Sequence, residues 1–186
     1  VIGVTIYREN QPKNFIAPVP KSSVEMQTVE LLAGPDGAHL YKFTTTDEYK
    51  ALRLYFTEYH DGEILNKDRM EIGFDGFGSP ENGEILIVPD FKNYLIKIVI
   101  STDGSKFSTE RSILEGVADR EFYGRSATRI EGETKILYDL EQPLVGLIYD
   151  NDEMRVLDIC DLLSGETDSL KENDYVYLFS YEFCKE

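Results

Sequence analysis

The chain has 186 residues, enough for one sizeable hydrophobic core, and its 35 acidic against 19 basic side chains give a formal net charge of -16. So acidic a surface repels phosphate backbones and anionic headgroups, which argues against nucleic acid as a partner and leaves a solvated surface, divalent cations or a basic partner. No apolar run reaches the roughly 20 residues that cross a bilayer, the longest being Tyr94 to Ile100 and Leu144 to Tyr149.

Val1 to Tyr7 is β-branched and predicts a short strand. The chain opens there without a charged-then-apolar leader, as expected of a trimmed or mature form. Pro12, Pro18 and Pro20 then favour an extended connection or tether over Gln11 to Ser23. The expected organisation is therefore residues 1–23 as a short strand plus a proline-containing extended segment, and residues 24–186 as a single domain.

Val24 to Leu32 alternates, with Val24, Met26, Thr28, Glu30 and Leu32 on one side, which predicts a strand. Gly34-Pro35-Asp36-Gly37 supplies turn chemistry, and His39 to Thr44 resumes a strand, so the pair reads as a hairpin. A second hairpin is expected from Leu52 to Phe74 around Asp61-Gly62. A third unit runs through Glu84 to Val88, Tyr94 to Ile100, the turn Asp103-Gly104-Ser105 and Lys106 to Ile113, with Pro89 marking a strand end or an edge.

Ile113 to Gly124 reads as loop with room for one helical turn. Strand-like stretches follow at Thr128 to Ile130, Thr134 to Tyr138, Leu144 to Tyr149 and Arg155 to Leu157. Asp158 is placed to cap a short helix carrying Ile159, Leu162 and Leu163 and ended by Gly165, and Asp168 or Ser169 to start another turn at Leu170. Short strands about every ten residues predict an all-β fold, an antiparallel two-sheet sandwich, immunoglobulin-like or related, with one or two short helical turns near 158–173.

The last strand carries the strongest pattern, with Tyr175, Tyr177, Phe179, Tyr181 and Phe183 on one face. The opposite face reads Val176, Leu178, Ser180, Glu182. The aromatic side is therefore expected in the core, with tyrosine hydroxyls reaching the rim, and the other side buried only over its first half.

Few residues point to chemistry. His39 and His60 each have an acidic neighbour, Asp36 and Asp61, but no nucleophile motif accompanies them, so polar strand-end residues are the simpler reading. Gly73-Phe74-Asp75-Gly76-Phe77-Gly78 lacks the strand-to-helix context of a phosphate loop and predicts a bent or bulged loop pinned by Phe74 and Phe77. Asp150-Asn151-Asp152-Glu153 offers calcium-type oxygen ligands without the spacing of an EF-hand, and equally reads as a self-capped turn. Cys160 and Cys184 allow either a disulfide or two separate thiols. No catalytic or cofactor-binding residue is assigned, no cofactor is expected, and a metal site stays open.

Pro143-Leu144-Val145-Gly146-Leu147-Ile148-Tyr149, a short acidic loop, and then Leu170-Lys171-Glu172-Asn173-Asp174-Tyr175-Val176-Tyr177-Leu178-Phe179 resemble the end of uncharacterised extracytoplasmic proteins and lipoproteins of Gram-positive bacteria. The resemblance covers the last quarter of the chain and implies a secreted or membrane-anchored location. The function expected is a non-enzymatic β-sandwich that binds a protein or cell-envelope component through loops or a sheet edge. A glycoside-type hydrolase or a calcium-binding carbohydrate-recognition domain is the alternative.

Overall fold

The computed structural model describes residues 14–78, 81–164 and 167–186. The expected strand at Val1 to Tyr7 lies outside the described residues, as does Gly165. In chain order the elements are β1 (Phe15–Pro18), α1 (Val24–Ala33), β2 (His39–Thr44), β3 (Tyr49–His60), β4 (Glu63–Gly78), β5 (Asn82–Asp90), β6 (Leu95–Thr102) and β7 (Lys106–Ser112). A 3-10 turn at Arg120–Phe122 precedes β8 (Gly124–Arg129), β9 (Thr134–Lys135), β10 (Gln142–Asp150), α2 (Asp161–Ser164), α3 (Thr167–Leu170) and β11 (Tyr175–Cys184). The strands form two antiparallel sheets, one in the order β7-β6-β5-β2-β1-β9 and one in the order β4-β3-β11-β10-β8. This is the all-β sandwich that the strand rhythm predicts.

The β3–β4 hairpin turns at Asp61 and Gly62, both with positive φ (49° and 78°), the backbone of a tight hairpin whose twist matches its strands. The glycine-rich stretch at its far end is strand backbone interrupted by a bulge, because Ala51 pairs with Gly73 and Tyr49 with Gly78. Where Phe74 and Phe77 point lies outside the described residues. Two of the chain crossings between the sheets, β2 to β3 and β4 to β5, are tied by Thr45 and Glu81, whose backbone N–H groups donate to the Glu81 carbonyl (2.9 Å) and the Thr45 hydroxyl (3.1 Å).

β11 lies in the middle of its sheet, between β3 and β10. Tyr177, Phe179, Tyr181 and Phe183 are fully buried and Tyr175 is half-buried. Phe179 lies 5.2 Å from Phe56, and Phe183 meets Phe43 and Tyr49 edge-on at 5.1 Å each, the geometry that aromatic quadrupoles favour. The Tyr177 and Tyr181 hydroxyls do not reach the rim as expected. Tyr177 donates to Glu58 (3.0 Å) and accepts from the Leu114 N–H (2.7 Å), while the Tyr181 hydroxyl is buried without a partner among the described residues.

The opposite face is also more buried than its polarity suggests: Val176, Leu178 and Ser180 are inaccessible. The segment between β10 and β11 folds back over that face and buries Leu157, Ile159, Leu162 and Leu170. Gly146 makes the close approach possible, since a Cβ there would sit 2.6 Å from Leu162 Cδ1. Arg155 to Leu157, expected as a strand, is loop. The buried Asn173 side chain takes the place of a strand partner, accepting from the Arg155 N–H (2.8 Å) and donating to the Arg155 carbonyl (3.1 Å).

Two further expectations are overturned. Part of the supposed tether is β1, paired on both sides by β2 and β9, because Ile16 is fully buried and Pro18, which lacks an N–H, falls on its last residue. Val24 to Leu32 is helical, so the first hairpin is a helix followed by a strand. The Ser23 side chain accepts from the Met26 N–H (3.1 Å) and Gly34, at φ 82°, ends the helix. Only Met26 is fully buried among the residues of α1, seated against Val19, Ala38 and Leu40 on the outer face of the six-stranded sheet. Burying such a side chain contributes roughly 1.5–3 kcal/mol, enough to dock one turn and too little to imprint a helical period on the sequence.

Candidate functional site

Strand alternation builds a cleft where the six-stranded sheet faces the free edge of the other. His39, Tyr41 and Phe43 are the inward residues of β2, and Arg125, Ala127 and Arg129 are the inward residues of β8, opposite Tyr149, Leu147 and Val145 of β10. Ala127 is small, so the two guanidinium groups flank open space instead of packed core. Lys21, Glu30 and the Pro35 to Ala38 turn complete the walls of a cavity of about 490 Å³.

Each charged group has a defined state. Asp36 accepts from the Phe91 N–H (2.9 Å) and forms a close ion pair with Arg125, whose guanidinium lies 4.3 Å from the Phe91 ring. Phe91 in turn stacks on Tyr149 at 5.9 Å. Arg125 is thus neutralised and held by a cation–π contact. Neither the Arg129 guanidinium nor the Lys21 ammonium makes a hydrogen bond or ion pair with a described residue. Burial, reinforced by the nearby charges of Arg129 and Lys21, lowers the His39 pKa to about 4, so the imidazole is neutral at pH 7, and its buried Nδ1 has no hydrogen-bond partner among the described residues.

The residues singled out in the sequence fare differently. His39 lines the cleft but is not paired with Asp36. His60 is half-buried, stacked on Tyr175 at 4.5 Å, with Nε2 3.6 Å from Asp61. In the Asp150 turn the Asp150 carboxylate serves the backbone, accepting from the N–H groups of Asp152 (2.8 Å) and Asp174 (3.0 Å), Glu153 pairs with Arg155 (3.2 Å), and no cluster able to hold a metal ion occurs among the described residues. Cys160 and Cys184 are both free, one exposed and one buried, so the disulfide option is closed.

Carboxylates on and beside the five-stranded sheet are engaged as well. Glu141 accepts from Ser180 (2.5 Å) and Lys67 (2.7 Å), and Glu182 accepts from Tyr55 (2.5 Å). Sequence reasoning missed Lys21, Arg125 and Arg129. The signal for the last two was present: Arg-x-Ala-x-Arg in a strand places both cations on one face.

No family model and no curated protein matches the chain. Among the described residues no helix is long and apolar enough to cross a membrane.

Proposed function

We propose that the protein is a non-enzymatic binding domain working outside the cytoplasm, and that it recognises a protein or cell-envelope component by an anionic group placed in this cleft. One observation carries the reading: Lys21, Arg125 and Arg129 converge on one cavity in a chain whose net charge is -16. Basic side chains are scarce here, and with Glu30 and Asp36 on the same walls these three still leave one net positive charge around the concavity, which attracts a partner's carboxylate or phosphate. The resemblance of the C-terminal quarter to extracytoplasmic proteins supports the location.

The test is retention of a solubilised envelope fraction on the immobilised protein, with Arg129→Glu as the site variant and the exposed Lys92→Glu as the charge control. Retention by the wild type and the control, lost with Arg129→Glu, of a component bearing an accessible acidic group supports the function. Equal retention by all three, or none by any, overturns it.

A further inference from the structure

The cleft is more selective than a basic patch, because its charges are unequally compensated. Arg125 is neutralised by Asp36, whereas the Arg129 guanidinium and the Lys21 ammonium have no hydrogen-bonded or ionic partner among the described residues. Across the walls, three cations face two carboxylates, Glu30 and Asp36, which leaves one unit of positive charge when His39 is neutral. Arg129 presents a fork of N–H donors matched to two oxygens of one anion, and Lys21 contributes a mobile point charge. The buried Nδ1 of His39 lacks a partner among the described residues, and a buried polar atom of this kind normally has one.

The rest of the molecule limits the size of the charge. A polyanion would lie along a surface of net charge -16 and be repelled. A single group inside the cleft, within a Debye length of about 8 Å of the two free cations, feels mainly their field. Glu30 on the wall works in the same direction by repelling a second anionic group.

We propose that the cleft binds one discrete oxyanion group, a carboxylate or a phosphate, between the Arg129 guanidinium and the Lys21 ammonium and against the imidazole of His39. The proposal rests on the cleft being the recognition site and adds the class of group recognised. Arg129 and Lys21 are binding residues, and His39 closes the floor of the site. An inward-pointing charge on an edge strand can also serve only to block edge-to-edge pairing, so the test must separate the two roles.

The two histidines provide the readout. Acetate, inorganic phosphate and long-chain polyphosphate are titrated into the protein at constant ionic strength while the imidazole resonances of His39 and His60 are followed by NMR. A saturable shift of His39 alone, with acetate or with phosphate, is expected, and the anion that saturates identifies the source. Arg129→Gln is expected to weaken binding at least tenfold, Lys21→Gln several-fold and Lys92→Gln not at all. Arg129→Lys, which keeps the charge and loses the fork, falls between.

Should Arg129→Gln fail to fold, Lys21→Gln in its exposed turn decides the matter. No saturable shift with either small anion, loss no greater in the cleft variants than in Lys92→Gln, or tighter binding of polyphosphate than of phosphate each overturns the proposal. Saturable anion binding without any retained envelope component would instead overturn the broader function and leave this site standing. Retention lost with Arg129→Glu, but no anion response, would do the reverse.

Discussion

Phe179 shows most directly how one residue carries the sandwich. It is fully buried in the central strand of its sheet, opposite Phe56 on β3 and Val145 on β10. Truncation removes a whole ring from close-packed surroundings that relax only in part, so the transfer loss and the cavity add. Phe179→Ala is expected to cost about 3–5 kcal/mol of unfolding free energy by urea denaturation at pH 7. Anion titration of the folded fraction should be unchanged, since Phe179 is not part of the cleft. A loss of binding at unchanged stability would return the aromatic stripe to the role of a ligand platform. Gly83 makes the complementary point about room: a Cβ there would lie 2.1 Å from the Phe43 ring, so the glycine is what lets that ring close the core.

At the level of elements, α1 depends on its cap more than on its packing. Ser23 satisfies one of the first N–H groups of the helix, Glu25 lies favourably in the first turn, and a single residue, Met26, is buried. Ser23→Ala is expected to cost about 1 kcal/mol, read as faster amide exchange at Met26 and Gln27 with little change at β11. An unchanged exchange pattern would show that docking alone holds the helix. The same element explains what the sequence hid.

β11, β3, β5 and β6 were legible because each has inward positions filled by large apolar residues, so period two is imposed by burial. In α1 the outward residues include Val24, Leu31 and Leu32, all highly exposed, and apolar residues on the wrong face imitate a strand. Likewise, the burial of Ser180 and the loop at Arg155 depend on long-range partners, Glu141 and Asn173, that no local window contains. The cleft was half legible. Its Arg-x-Ala-x-Arg spacing is local, but that β8 faces β2 across the sandwich is a property of the assembled sheets.

For the whole molecule, two opposed effects govern stability as pH falls. Carboxylates protonate toward the isoelectric point near 4.5, which relieves self-repulsion and favours the compact state. His39 works against this. Its folded pKa is lowered to about 4 by burial first and then by Arg129 and Lys21, while an unfolded histidine titrates near 6.5. The unfolded chain therefore takes up a proton that the folded one refuses. The contribution is complete above about pH 6.5, shrinks as pH falls and is lost by about pH 4, amounting to about 3 kcal/mol. His39→Gln keeps a polar side chain and cannot titrate in this window. Urea unfolding of both proteins at pH 7, 6, 5 and 4 should give a wild-type curve that loses up to about 3 kcal/mol relative to the variant as pH falls. Carboxylate protonation acts on both proteins alike and cancels in the difference. Parallel curves would mean that His39 is hydrated enough to take its proton in the folded state, which would also remove it from the floor of a desolvated anion site.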